Sequence, residues 1–453
     1  MQLIRLYELH SSCAISPPNR GVTGNCSVAM LSAAFHTLGN GRDATKERDV
    51  IHDTKSAVIA GTDQVPCRAR HLHSYPGRSM VVVRRKVNVA IVAPSMRILG
   101  GQAVQADRLV RAWSTDPEIS AWLVPVNPLP PGILRHAADI KYVRTLATQA
   151  VYWPTLISQL RHADIVHVFS ASYYSFLLAP LPAVAIARLL GKPVVLNYRS
   201  GEAPDHLKRS WIARTVLRSV DCNAVPSSFL HDVFRSFAVP STIVPNIVDV
   251  DLFGFKPRAP HGRRILSTRN LEPMYNVACT LRAFRRVQDK YPDATLTLVG
   301  SGSEDQALRR LAAELNLQHV RFAGRVAPSD IHRYYADADI YLQTPDIDNM
   351  PSSVLEAFAS GCPVVATHAG GVPAILTDRV HGLLVPCGDA ERTAEAVCRV
   401  IDDPVLASEL AGSARESCEQ YRWSAVRAQW VSLYRGLLQA DRLAAPVPNE
   451  SRL

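Results

Sequence analysis

The 453-residue chain has no apolar run of the roughly 18 residues that a membrane-spanning helix needs. The longest candidate, Phe176 to Ala187, carries Pro180 and Pro182 and ends at Arg188, which fits a buried segment. The first residues, MQLIRLYELHSSC, lack the apolar core of a secretory signal, so export by that route is not expected. The nine cysteines are odd in number and include no CxxC pair. That argues against a disulfide framework or a structural zinc site and fits a reducing cytoplasm. No P-loop occurs. Gly300-Ser301-Gly302 opens like a dinucleotide fingerprint, but Asp305 stands where the third glycine belongs.

Charge of one sign is scarce where it would matter. The net charge is +10, yet residues 1–86 hold 12 Lys and Arg against 6 Asp and Glu. The remaining 367 residues carry 38 against 34. The main body is near balance and has no basic–aromatic platform, so nucleic acid is not an expected partner. Residues 1–79 also lack any sustained period of 2 or 3.6. They are expected to be a disordered extension, or to precede a true start at Met80.

From Val87 onward, short β-rich apolar runs alternate with helical segments. The runs fall at 87–94, 121–126, 164–170, 193–201, 222–227 and 241–246. A second series follows at 263–270, 294–302, 319–326, 339–345, 362–371 and 381–386. Strands alternating with helices predict βαβ units and parallel sheets, hence an α/β protein of two doubly wound domains. The expected division is 80–250, a linker over 251–263, and 264–420. A C-terminal helix over 421–440 packs back on the first domain, and 441–453 is a tail. Ligands of such sheets bind beyond the carboxyl ends of the strands, which places the site in the cleft between the domains.

Gly100-Gly101 follows the first strand and opens a helix, so backbone and helix terminus can approach an anion there. The strongest constellation begins at Asp348. A helix starting near Pro351 would turn the N–H groups of Ser352, Ser353 and Val354 toward a phosphate. Asp348 lies in the loop just before that anion site and Glu356 one turn into the helix, so two carboxylates bracket the pocket. One can accept sugar hydroxyls and the other ribose hydroxyls. In the first domain His167, Arg199 and Glu202 lie in or just after strands and are candidates for contacting an acceptor. Residues 205–219 mix Leu207, Trp211, Ile212 and Val216 with four basic side chains. This segment can lie on an anionic membrane surface or form an ordinary core-facing helix. Three DxD matches, starting at Asp249, Asp337 and Asp346, show how cheap that metal-binding pattern is, and no metal is expected.

Several strings taken together resemble a known family. They are the acidic-x7-Glu spacing from Asp348 to Glu356 with the following EAFASGCPVVAT run, and Gly370-Gly371-Val-Pro373. Gly382-Leu-Leu-Val-Pro, Pro245-Asn246-Ile-Val-Asp249 and Arg321-Phe-Ala-Gly324-Arg325-Val326 also match. The chain over about 87–440 is similar to the retaining glycosyltransferases of family 4, with the GT-B fold of two Rossmann-like domains. The resemblance implies a nucleotide diphosphate sugar as co-substrate, no further cofactor, and a glycan or lipid-linked acceptor. It assigns the diphosphate to Arg269 and the N–H groups near Ser353, and the ribose to Glu356. The base falls near Arg325 and Val326, and the sugar on Asp348 with its loop of Asn349, Met350 and Pro351. Gly101 and Gly302 are placed on the donor side, Gly100 on the acceptor side. The missing secretory signal and the basic segment 205–219 place the protein in the cytoplasm or on the inner membrane face. Three positions depart from the family. Asp348 replaces a Glu, Tyr275 stands where a second diphosphate-binding Lys is usual, and Ala374 replaces an acidic residue. A sugar-nucleotide epimerase and a catalytically silent nucleotide- or glycan-binding module are the competing readings.

Overall fold

The computed structural model describes residues 85–97, 100–128 and 141–444. The segment 1–79 and most of the expected tail lie outside the described residues. The first sheet contains β1 (Val87–Ala93), β2 (Ile119–Pro125), β3 (Ile165–Ser170), β4 (Val194–Tyr198), β5 (Cys222–Val225) and β6 (Thr242–Ile243). Its order is β2-β1-β3-β4-β5-β6, and every pairing is parallel. The second sheet contains β7 (Arg264–Ser267), β8 (Thr295–Val299), β9 (Val320–Gly324), β10 (Ile340–Gln343), β11 (Val364–Thr367) and β12 (Leu383–Val385). Its order is β12-β11-β10-β7-β8-β9, again parallel throughout.

The sequence shows why. Helices cover both faces of a parallel sheet, so its inner strands read as continuous apolar runs. β3 and β4 are buried at every residue. Each sheet therefore separates two apolar clusters, one per face. The last helix, Trp423–Ala444, lays Val426, Trp430 and Tyr434 against β1, β3 and the Gly101–Trp113 helix. It runs past the expected 440, to Ala444. Arg427 fastens it to Asp116 and Glu118.

The connection between the domains is not loose. Val248, Val250 and Phe253 sit in the core of the second domain. Arg258 donates to the carbonyls of Ala336, Ala338, Ser360 and Gly361. Those carbonyls lie at the carboxyl ends of two helices, where a cation is favoured.

Each sheet has a point where the chain reverses its direction of travel across the strands. In the first sheet it falls between β1 and β3, in the second between β7 and β10. Crevices form there, outside the carboxyl ends of the strands. The residues that follow β1, β7 and β10 are therefore the ones the topology offers to a ligand.

Candidate active site

The loops at the carboxyl ends of both sheets line one cavity of about 430 Å³. From the first domain come Gly100 and Gly101, at the start of the Gly101–Trp113 helix. A methyl group on either glycine would meet nothing within 4 Å, so both face open space in the cavity. Gln105 and Arg108 follow on the same face of that helix, four and seven residues after Gly101. Gln105 donates to the Ile247 carbonyl at 2.9 Å and to Ser352 Oγ at 2.9 Å. Arg108 reaches across to Glu356 at 2.7 Å.

After β4, Arg199 lies over the Phe169 ring and donates to the Asn197 and Asn246 side chains. Burial lowers its pKa to about 9. Glu202 lines the cavity nearby, and burial raises its carboxyl above the ordinary range, opposed by a hydrogen bond from Ser200.

The second domain supplies the charged centre. Arg269, after β7, donates to Asp348 Oδ2 at 2.7 Å and to Ser353 Oγ at 3.1 Å. Both partners of this pair are about nine-tenths buried on their side chains (10% and 12% exposed). Burial works most strongly against the guanidinium charge, but Asp348, joined by Tyr275, Tyr341 and Tyr335, more than offsets it and holds Arg269 cationic. The Arg269 Nε is buried without an acceptor among the described residues. A buried, unpaired donor in a cavity is costly unless a ligand oxygen completes it. Ser352 and Ser353 open the Ser352–Ser360 helix, whose first-turn N–H groups have no acceptor inside the helix. Helix terminus and guanidinium thus point positive potential at one place.

The loop carrying Asp348 is held from two sides. Gly371 N–H donates to the Asp348 carbonyl at 3.1 Å. The first domain grips the other side: Asn246 donates to the Met350 carbonyl at 2.8 Å, and Ser227 to Asn349 Oδ1. The Pro245-Asn246 string is thus an interdomain staple.

Most residues singled out from the sequence meet here. Gly100, Gly101, Arg199, Glu202, Arg269, Arg325 and Val326 line the cavity. So do Asp348, Asn349, Met350, Pro351, Ser352, Ser353 and Glu356. Three do not. His167 is fully buried, because the C-terminal helix covers its face of β3. Asn197 turns its Oδ1 to Arg199, so its Nδ2 faces His167 Nε2 at 3.0 Å. Nε2 then accepts, and Nδ1–H donates to the Tyr434 hydroxyl at 2.7 Å. It is a core histidine with both nitrogens engaged. Val354 is buried in the second core, and its N–H is taken by the Pro351 carbonyl at 3.1 Å. Gly302 packs on the Leu271 carbonyl, which a Cβ would meet at 2.2 Å; Gly300 and Ser301 line the cavity instead. Residues 205–219 are also not one amphipathic helix. They break at Ser210 into Ala203–Arg209 and Trp211–Ser219, with Leu207 and Leu217 buried and Trp211 exposed.

Arg108 and Gln105 were missed. Their signal was the spacing Gly101, Gln105, Arg108 along one helix face, but what they face is 139 to 248 residues away in sequence.

Two family profiles meet end to end on the chain. "Glycosyltransferase Family 4" matches residues 82–252, and "Glycosyl transferases group 1" matches residues 253–417. The chain belongs to glycosyltransferase family 4. Among its relatives is a GDP-mannose-dependent alpha-(1-6)-phosphatidylinositol monomannoside mannosyltransferase of Mycobacterium tuberculosis. It is 27% identical over 331 residues, covering 66% of this chain and 84% of the relative. A sulfoquinovosyl transferase of Arabidopsis thaliana is 27% identical over 298 residues, covering 60% of this chain and 57% of the relative. The fold matches HepE from Anabaena, solved with UDP-glucose. The TM-score is 0.62 at 17% identity, over 76% of this chain and 98% of that one.

In this transferase three of the DxD carboxylates have partners outside the Arg269 pair. Arg264 holds Asp339, Arg422 holds Asp251, and Asn276 reaches Asp346. Among the described residues no helix is long and apolar enough to cross a membrane. The first domain does expose an apolar stripe on the Lys141–Leu160 helix, formed by Val143, Leu146, Trp153 and Ile157. No acidic residue occurs from Lys141 to Ala163.

Proposed function

We propose that this transferase moves a hexose from a nucleotide diphosphate sugar to a sugar hydroxyl of a cell-envelope glycan or lipid-linked acceptor. Transfer proceeds with retention and without a metal, on the cytoplasmic side. One observation carries the reading: the cationic Arg269, with a free buried N–H, meets the start of the Ser352–Ser360 helix inside the interdomain cavity. That arrangement suits a leaving diphosphate.

The diphosphate lies on Arg269 and the Ser352 and Ser353 N–H groups, the ribose on Glu356, and the base near Arg325 and Val326. The Asp348 loop positions the sugar. The acceptor enters from the first domain beside Gly100, Arg199 and Glu202. Its hydroxyl oxygen bonds to the anomeric carbon on the face from which the diphosphate departs. The C–O bond to the diphosphate breaks, and the hydroxyl proton passes to a departing phosphate oxygen. Positive potential fixed before the reaction stabilises the charge that develops on that oxygen.

A lipid-linked acceptor is supported by the exposed Leu146, Trp153 and Ile157 stripe with Arg144 and Arg161, and by Trp211 beside Lys208 and Arg209. It is also supported by the phosphatidylinositol mannoside named in the mycobacterial relative.

The test is product analysis with a panel of nucleotide sugars and acceptors, with and without a chelator. The expected result is a retained anomeric configuration and a chelator-insensitive rate. Inversion, or loss of activity on chelation, would contradict the mechanism. Alteration of the nucleotide sugar without acceptor would favour an epimerase.

A further inference from the structure

Tyr275 lines the same cavity as Arg269, and its ring centroid lies 4.1 Å from the guanidinium carbon. We propose that Tyr275 is a positioning residue for Arg269, its ring holding the guanidinium flat in the one orientation that serves the donor diphosphate. This inference rests on the donor-site reading above.

The geometry supports a fixed platform rather than a chance contact. Tyr275 ends a short 3₁₀ turn, Pro273–Tyr275, and its N–H bonds the Glu272 carbonyl at 3.0 Å. The Met274 carbonyl accepts the Asp346 N–H at 3.0 Å. The Thr344 hydroxyl bonds the Asn276 carbonyl at 2.8 Å, and the Asn276 side chain bonds Asp346 at 3.1 Å. The turn is thus sewn to the segment that carries Asp348. Arg269 is fixed from behind as well, because Gly300 packs on its carbonyl.

The guanidinium therefore has a ring against its face and two acceptors at its edge, Asp348 and Ser353. An arginine has a long, rotamer-rich chain, and without the ring its orientation would rest on Asp348 and Ser353 alone. The ring is not in competition with the phosphate, since it contacts the π face and leaves the N–H edge available. Burial keeps the phenol protonated, so no anion forms beneath the diphosphate. A lysine at this position would add a second cation. A tyrosine instead makes the single cation immobile.

The test combines kinetics with structure. Y275F keeps the ring and is expected to retain kcat/KM within about threefold. Y275L removes it and is expected to lower kcat/KM about thirtyfold, the factor that a desolvated cation–π contact of this kind corresponds to. The double variant Y275L/R269A should be no slower than R269A, because Tyr275 acts through Arg269. Crystal structures of the ligand-free variants should show Arg269 in place in Y275F and displaced or in several rotamers in Y275L. The inference is overturned if Y275L leaves Arg269 and kcat/KM unchanged, if Y275F is as impaired as Y275L, or if Y275L multiplies the defect of R269A. If Arg269 moves in Y275L while R269A alone transfers sugar at the full rate, the positioning claim holds and the donor-site reading fails.

Discussion

Gly371 gives the sharpest test of how the Asp348 loop is held. A Cβ at this position would lie 2.0 Å from the Asn349 carbonyl oxygen and 2.8 Å from its carbon. The obstructing atoms are backbone, so no side chain can swing away. An ordinary contact needs more than 3 Å, so G371A must push the two loops apart by about 1 Å. The loop displaced is the one that presents Asp348 to Arg269, and the Gly371 N–H to Asp348 bond stretches with it. Overpacking of this kind costs about 1–3 kcal/mol of stability. That is a modest loss for a domain with a core this extensive, and the protein should stay folded. A misplacement of about 1 Å at reacting groups costs on the order of 10²-fold in rate. The assay is nucleoside diphosphate release in the presence of acceptor, with thermal unfolding of the same preparation. The expected outcome is a shift of a few degrees and a loss of roughly a hundredfold in turnover. Wild-type turnover in a folded G371A protein would refute the argument.

Three further outcomes follow from the same geometry. G101A adds a methyl that meets nothing within 4 Å, so its thermal stability should stay within about 0.5 kcal/mol of wild type. The methyl enters the cavity, however, so the KM for donor or acceptor should rise; an unchanged KM would remove Gly101 from the binding surface. His167 has its pKa lowered to about 3, mainly by burial and further by Arg199. The unfolded chain binds this proton near pH 6.5 and the folded protein refuses it, so stability falls as pH drops from about 6.5 toward 3. From this group alone the loss between pH 6.5 and 4.5 is about 2 kcal/mol. H167Q should reduce that loss in urea titrations while keeping turnover per folded molecule; equal acid sensitivity, or a catalytic defect, would contradict the core assignment. Vesicles containing anionic lipid should co-sediment with the wild-type protein and much less with W153S/I157S; a wild type that ignores such vesicles would end the membrane proposal.

The fold was legible because its physics is local and repetitive. Each buried parallel strand is an apolar run, and β1, β2, β3, β5, β9, β10 and β12 could be read within two residues of their observed ends. β6 pairs over only Thr242 and Ile243, because Pro240 and Pro245 flank it and cannot donate to a ladder. The break at Ser210 escaped because a serine can cap a new helix as readily as continue an old one. Its hydroxyl accepts the Ala213 N–H.

The site was legible where the topology concentrates it. Asp348, Ser353 and Glu356 belong to one loop and helix, so spacing alone brings them together. Arg108 and Asn246 act across the domain interface, which no local period announces. His167 shows the opposite failure. A polar residue in a strand looked available, and only the packing of Trp430 and Tyr434, far along the chain, closes that face.

The central claim is that Arg269 and the Ser352–Ser360 helix start form a nucleoside diphosphate site. Thermal unfolding of the purified protein with UDP, GDP, ADP and CMP, beside R269A, tests it most directly. A ligand at about 100 times its dissociation constant adds about 2.7 kcal/mol of stability. The account predicts a clear shift with one nucleoside diphosphate, lost in R269A. No shift with any of them, or the same shift in R269A, would contradict it.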